Sequence, residues 1–264
     1  AWIELMSLSK KNLAAIKALN RKDVRKTLES LKPFVRKAEW IGKRNGYSTD
    51  PAKKIEDQIG AGGLKSPRQL SQCVAASGFL HCADGWSYLG RAVSSLLNGD
   101  PHRSLHLAYY AELRAAMSLL ASEGIGIYNR DHCIIDAPNS VAFLEGRPGT
   151  HVIVWECLEA WGEQARSGDL FSQIVTPNGR SLDDWLHPVG GARAIAPQAK
   201  KWFLQWGMDL KLPVKDRRAR NESSYRPDGL PIAWYDNAVN ALDFVGELWA
   251  ALEPAASASF DAID

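Results

Sequence analysis

A histidine in a polar turn and an arginine-rich stretch far downstream are the side chains best suited to chemistry on a phosphate. His132 follows a long apolar run and the turn residues Asn129, Arg130 and Asp131. Its imidazole titrates near neutrality, so it can take or give a proton at ordinary pH. The stretch RRARNESSY, residues 217–225, supplies Arg217, Arg218 and Arg220, whose guanidinium forks match phosphate oxygens. Asn221 and Tyr225 stand beside them to order the basic groups. If both segments end antiparallel helices, His132 and Arg220 meet in one split site. The alternative is that Arg220 and Asn221 cap helix ends and pair with Asp216 and Glu222. Residues 200–226 hold eight Lys/Arg, among them Lys200, Lys201 and Arg226, against three Asp/Glu, with Trp202 and Trp206 one helical turn apart. That arrangement suits bases stacked above a basic strip, and equally a protein interface or a core. His106, one turn before Tyr110, reads as a hydrogen-bonded core or rim histidine.

Several chemistries have no signature. There is no Walker A loop, no GxGxxG after a strand, no HExxH and no GxSxG. The four cysteines form no CxxC pair and lie at no zinc-finger spacing from a His, so reduced thiols, no metal and no cofactor are expected. No stretch reaches the roughly 20 apolar residues of a membrane span, and no leader pattern is visible, so the expectation is a cytoplasmic protein. Net charge is only +2, yet residues 1–65 carry a surplus of eight Lys/Arg. Such asymmetry marks either a face for phosphates or an acidic partner, or simply solvated helix faces.

The elements that must position these residues read as mostly helical. Ser9 is an N-cap signal for a helix striped by Leu13, Ile16 and Leu19. Val24, Leu28 and Leu31 stripe a second, and Phe34, Val35, Ala38 and Ile41 a third, with Pro33 interrupting the run. GAGGLKSP, residues 60–67, is a flexible break, and Ser66-Pro67 opens a new helix. Its late face, Trp86, Leu89, Val93 and Leu97, stops at Asn98-Gly99-Asp100-Pro101. The next helix starts near His102 or Ser104, carries Tyr109 and Tyr110, and ends at a Gly124 cap that presents His132 beyond it. Residues 133–155 hold three β-prone runs, 133–135, 140–144 and 152–155, the material of a small hairpin. Helices are expected again over 156–166, 182–186 behind a Ser181 cap, 197–210, 215–224 and 232–252.

The stretch 106–132, with Tyr109, Tyr110, Ala115, Ala116, Leu119, Leu120, Gly124 and His132, resembles the second core helix of HEPN-superfamily proteins, in particular the helical partners of minimal nucleotidyltransferases. Residues 217–225 resemble the Arg-rich end of a later HEPN helix, with Ser224 where the family often has Asp. A similar pairing occurs in YaaC-like proteins. The resemblance covers roughly forty residues. It implies a mainly α fold: a basic helical region over 1–59, a HEPN-like helical bundle over 66–253 with a small irregular or β-hairpin insertion at about 133–196, and a loose tail over 254–264.

Active members of that superfamily are metal-independent ribonucleases whose signature places four to six residues between an Arg and a following His. Here the spacing occurs at Arg180 and His187, but in the insertion, with Asp183 and Asp184 opposing a phosphate between them. The first expectation is therefore a helical accessory or scaffold subunit of a bacterial defence or toxin-type system. It would bind a protein from its own operon, with nucleic acid or a second copy of the chain as further partners. A HEPN-type endoribonuclease and an RNA- or DNA-binding module are the alternatives.

Overall fold

A computed structural model describes residues 8–37, 39 and 41–162, together with 164, 166, 167, 180, 181, 184 and 187–189. It is mainly helical with a small antiparallel sheet. By internal contacts Ala1–Asp84 and Ala116–Ala160 make one compact unit, and Gly85–Ala115 belongs to a second.

In the first unit the N-terminal helices form where the caps place them. Ser9 Oγ accepts from Asn12 N and starts α1, Lys10–Ala18; Asn20 caps α2, Arg21–Glu29. Both pack on the second strand of the sheet. The third helix is a single turn, α3, Lys32–Val35, with Pro33 in its first turn. A helical stripe through Ile41 is not formed: residues 41–50 are turns, pinned by Asn45, which donates to Gln69 O and accepts from Tyr47 N. Here a side-chain amide competes for the backbone groups and overrides the apolar spacing. Asp50 caps α4, Pro51–Gly60, and α5 runs Pro67–Leu97 from the Ser66-Pro67 start. Gly99, at φ +78°, closes it, and Asp100 Oδ1 accepts from Arg103 N to open α6, Pro101–Ser122.

After α6 the chain reverses at Gly124, whose φ is +92°. A Cβ there would sit 3.0 Å from Val24 Cγ2 and 3.4 Å from Ile135 Cβ, so both the dihedral and the space select glycine. The strands follow in the order β1, Ile125–Gly126; β2, Cys133–Ala137; β3, Ser140–Phe143, with Ile125 opposite Ile134 and Cys133 opposite Phe143. The Gly124 carbonyl accepts from Ile135 N at 2.8 Å, joining the helix end to the sheet. Pro138 and Asn139, the latter at φ +62°, make the β2–β3 turn. The expected hairpin is therefore present, with one further short strand.

The third β-prone run is helical. Val152–Trp155 lies within α7, Thr150–Gly162, where Ile153, Val154, Trp155, Cys157 and Leu158 are all buried. An apolar run buried on every side gains nothing from alternation, so burial outweighs the β propensity of Val and Ile. The helix expected over 156–166 thus starts earlier, and its regular span closes at Gly162. The core of this unit joins Val24, Ile55, Leu70, Val74, Tyr128, Cys133 and Ile135, so the central strand shares one core with the N-terminal helices. On the 31-residue α5, Trp86, Val93 and Leu97 are exposed.

Replacing Gly124 by Ala imposes left-handed strain and a contact on Val24. The expected cost is about 2–3 kcal/mol in urea unfolding. An unchanged midpoint would contradict the packing at this turn.

Candidate functional site

His132 lies in the short link between β1 and β2. The ring is 1% exposed. The Tyr128 N–H approaches Nδ1 at 3.4 Å, and Nε2 stands 2.9 Å from the Pro148 carbonyl. A carbonyl only accepts, so Nε2 carries the proton and Nδ1 faces the Tyr128 donor: a neutral imidazole with both nitrogens engaged. Burial pushes its pKa below the usual histidine value, against the Pro148 bond and Asp131, which favour the charged form. The expectation that Gly124 presents His132 outside the fold is thus corrected: the turn delivers it inward, where it ties the β1–β2 link to the loop before α7.

Near it is a second buried polar group. Tyr128 Oη donates to Cys73 Sγ at 3.7 Å, and Cys73 Sγ donates to Tyr47 O at 3.8 Å. Burial raises the pKa of Cys73, Cys133 and Tyr128, so the thiols stay protonated and inert. On α7, Glu156 is 8% exposed, and its Oε1 finds no hydrogen-bond donor among the described residues. Burial first, then the charge of Glu159, pushes it up to about 7.

Two further surfaces stand out among the described residues. One is a groove of about 570 Å³ in the first unit, walled by one face each of α2, α5 and α6. Arg21, Lys22 and Arg25 line its α2 side above Val24 and Leu28; Ala75, Gly78, Phe79 and Cys82 come from α5, and Ser118 and Ser122 from α6. Small residues open it: Ser118 Oγ donates to Gly78 O at 2.8 Å, so the two helices approach closely there. Arg21 Nε stands 3.1 Å from Oε1 of Glu123, whose side chain is fully buried. The other surface is the outer stripe of α5 in the second unit, where Trp86, Val93 and Leu97 (43, 41 and 83% exposed) recur at i, i+7 and i+11. Beside it Tyr88 stacks on Tyr110 at 5.4 Å, and His106 meets Tyr110 edge-on at 5.1 Å, a partly buried rim position.

Arg180 and His187 are exposed, and Asp184 N donates to Ser181 Oγ, the cap bond expected before a helix. Arg217, Arg218, Arg220, Asn221, Tyr225, Arg226, Lys200 and Lys201 lie outside the described residues. Sequence reading missed Arg21, Lys22 and Arg25 as a group, and Glu123 as the partner of Arg21. The available signal was a carboxylate beside a glycine stop at the end of an alanine-rich helix. No group of three His, Cys, Asp or Glu among the described residues is arranged to hold a metal ion, and none of their helices is long and apolar enough to cross a membrane. No family model, curated protein or solved structure matches the chain.

Removing the buried ring in His132→Ala leaves a cavity and two unmet bonds, with an expected loss of about 2–4 kcal/mol in chemical unfolding. Glu156 ionises in the unfolded chain near pH 4.5 but in the native one only near 7. Stability should therefore fall as pH rises from 4.5 to 7 and then level off. Glu156→Gln should remove that fall, on the order of 1–3 kcal/mol, in unfolding curves at pH 4 and pH 8.

Proposed function

We propose that the chain is a non-catalytic helical subunit that docks a partner protein, in the manner its HEPN-like helix implies for a component of a bacterial defence or toxin-type system. The observation that carries this reading is the α5 stripe. Trp86, Val93 and Leu97 project from one side of a helix at a spacing that places them within about 40° of one another. Three large apolar side chains in line on one helix suit a hydrophobic partner surface, with Trp as the anchor. Docking of this kind needs no catalytic group. The enclosed, neutral His132 supports the same side of the choice, since a ring with both nitrogens engaged cannot reach a ribose hydroxyl. A nucleic-acid role for the basic residues at 200–226 is the secondary reading, motivated by their sequence alone.

The test is co-purification from the native host. The wild-type chain should elute with the product of a neighbouring gene, and Val93→Asp with Leu97→Asp should abolish that association. Stability should change by less than about 0.5 kcal/mol, because both side chains are exposed. A wild-type chain that elutes alone as a monomer overturns the proposal. Labelled RNA incubated in EDTA should stay intact; cleavage that disappears in His187→Ala would restore the ribonuclease reading.

A further inference from the structure

The groove between α2, α5 and α6 carries a chemistry that partner docking does not use. Its volume, about 570 Å³, is that of a small-molecule site rather than a helix-binding cleft. Its α2 wall is cationic: Arg21 and Arg25 are one turn apart on the same face, and Lys22 joins them. Like charges at that spacing repel, and two of the three are offset by carboxylates. Arg21 is held in place by the buried Glu123, and Arg25 reaches Glu29 at 3.6 Å on the exposed side. Lys22 has no carboxylate in ion-pair range among the described residues, which leaves a positive surplus at the mouth.

The remaining walls are apolar. Val24, Leu28, Ala75, Gly78 and Phe79 offer no hydrogen-bonding side chain. The two hydroxyls present have already given their protons away, Ser118 to Gly78 O and Ser122 to Leu119 O. A nucleobase would therefore find no side-chain O–H donor to read its edge, whereas an aliphatic chain loses nothing by entering. We propose that this groove binds an amphiphilic anion, its carboxylate or phosphate head on Arg21, Lys22 and Arg25 and its aliphatic body along Phe79 and the small-residue floor. The head has the charge-assisted partners such groups use, and the body covers apolar surface that water otherwise wets.

Cys82 supplies the reporter. Of the four cysteines it alone is partly exposed, while Cys73, Cys133 and Cys157 are buried. In the native full-length chain one thiol should react rapidly with Ellman's reagent. Decanoate and decyl phosphate, kept below their micelle thresholds, should slow that reaction at least tenfold with an unchanged far-UV dichroism spectrum. Which of the two acts at lower concentration assigns the head as carboxylate or phosphate. Butyrate, inorganic phosphate and decanol, each lacking head or body, should not protect. The double variant Lys22→Glu, Arg25→Gln touches only exposed side chains, and an acid in the first turn of α2 suits the helix dipole. It should need roughly tenfold more decanoate for equal protection, the worth of one charge-assisted contact. Equal protection of variant and wild type, or protection by decanol as good as by decanoate, overturns the proposal. So does the absence of any fast thiol, or protection by anionic phosphatidylglycerol vesicles alone, which would mean surface adsorption. The outcome is independent of the partner proposal, whose variants lie at the far end of α5.

Discussion

Two adjacent residues at the end of α6 hold the first unit together. Glu123 places a carboxylate where no water reaches it, a position that is costly unless a cation meets it. Arg21 does so at 3.1 Å, which fixes the start of α2 against the end of α6. Gly124 then turns the chain through a left-handed conformation, and its carbonyl receives Ile135 N from the central strand. Helix, helix and sheet therefore meet within two residues. The groove beside α2 exists because this joint sets the distance between α2 and the small residues of α5 and α6.

The same joint explains what happens to His132. A chain that leaves α6 into a strand rather than into solvent carries the following turn beneath the loop before α7, and the imidazole becomes a strut. It satisfies one backbone donor and one backbone acceptor while itself buried. A histidine after a helix stop is open to either fate, and the packing of Tyr128 and Ile135 in one core with Val24 and Val74 decides it.

Much of the local structure was legible because it rests on short-range rules. Ser9 caps the helix that its position announces, Pro67 opens α5, and Gly99 and Gly124 end helices in left-handed turns. What could not be read was set by burial. Val152–Trp155 carries β-branched residues into a helix because the helix is buried through residues 153–158, and residues 41–50 stay irregular because Asn45 claims the backbone. The stripe of Trp86, Val93 and Leu97 has the spacing of a core face, and only the three-dimensional arrangement reveals that it faces outward. The groove was invisible for a similar reason: its cations lie in one helix, and its floor in two others more than forty residues away.

Asn12 illustrates a different kind of constraint. Its amide donates to the Glu145 carbonyl and accepts from the Glu145 N–H, so a side chain completes a two-point pairing normally made between strands. The two partners are 133 residues apart in the chain. During synthesis α1 has no template for this pairing until residue 145 has left the ribosome, a delay of roughly 7–27 s at usual elongation rates. For that interval the basic, amphipathic N-terminal helices are exposed to the cell with their apolar stripes uncovered, and their lysines and arginines keep them dispersed while they wait. The positive surplus of the first 65 residues disfavours self-association of that segment through like-charge repulsion.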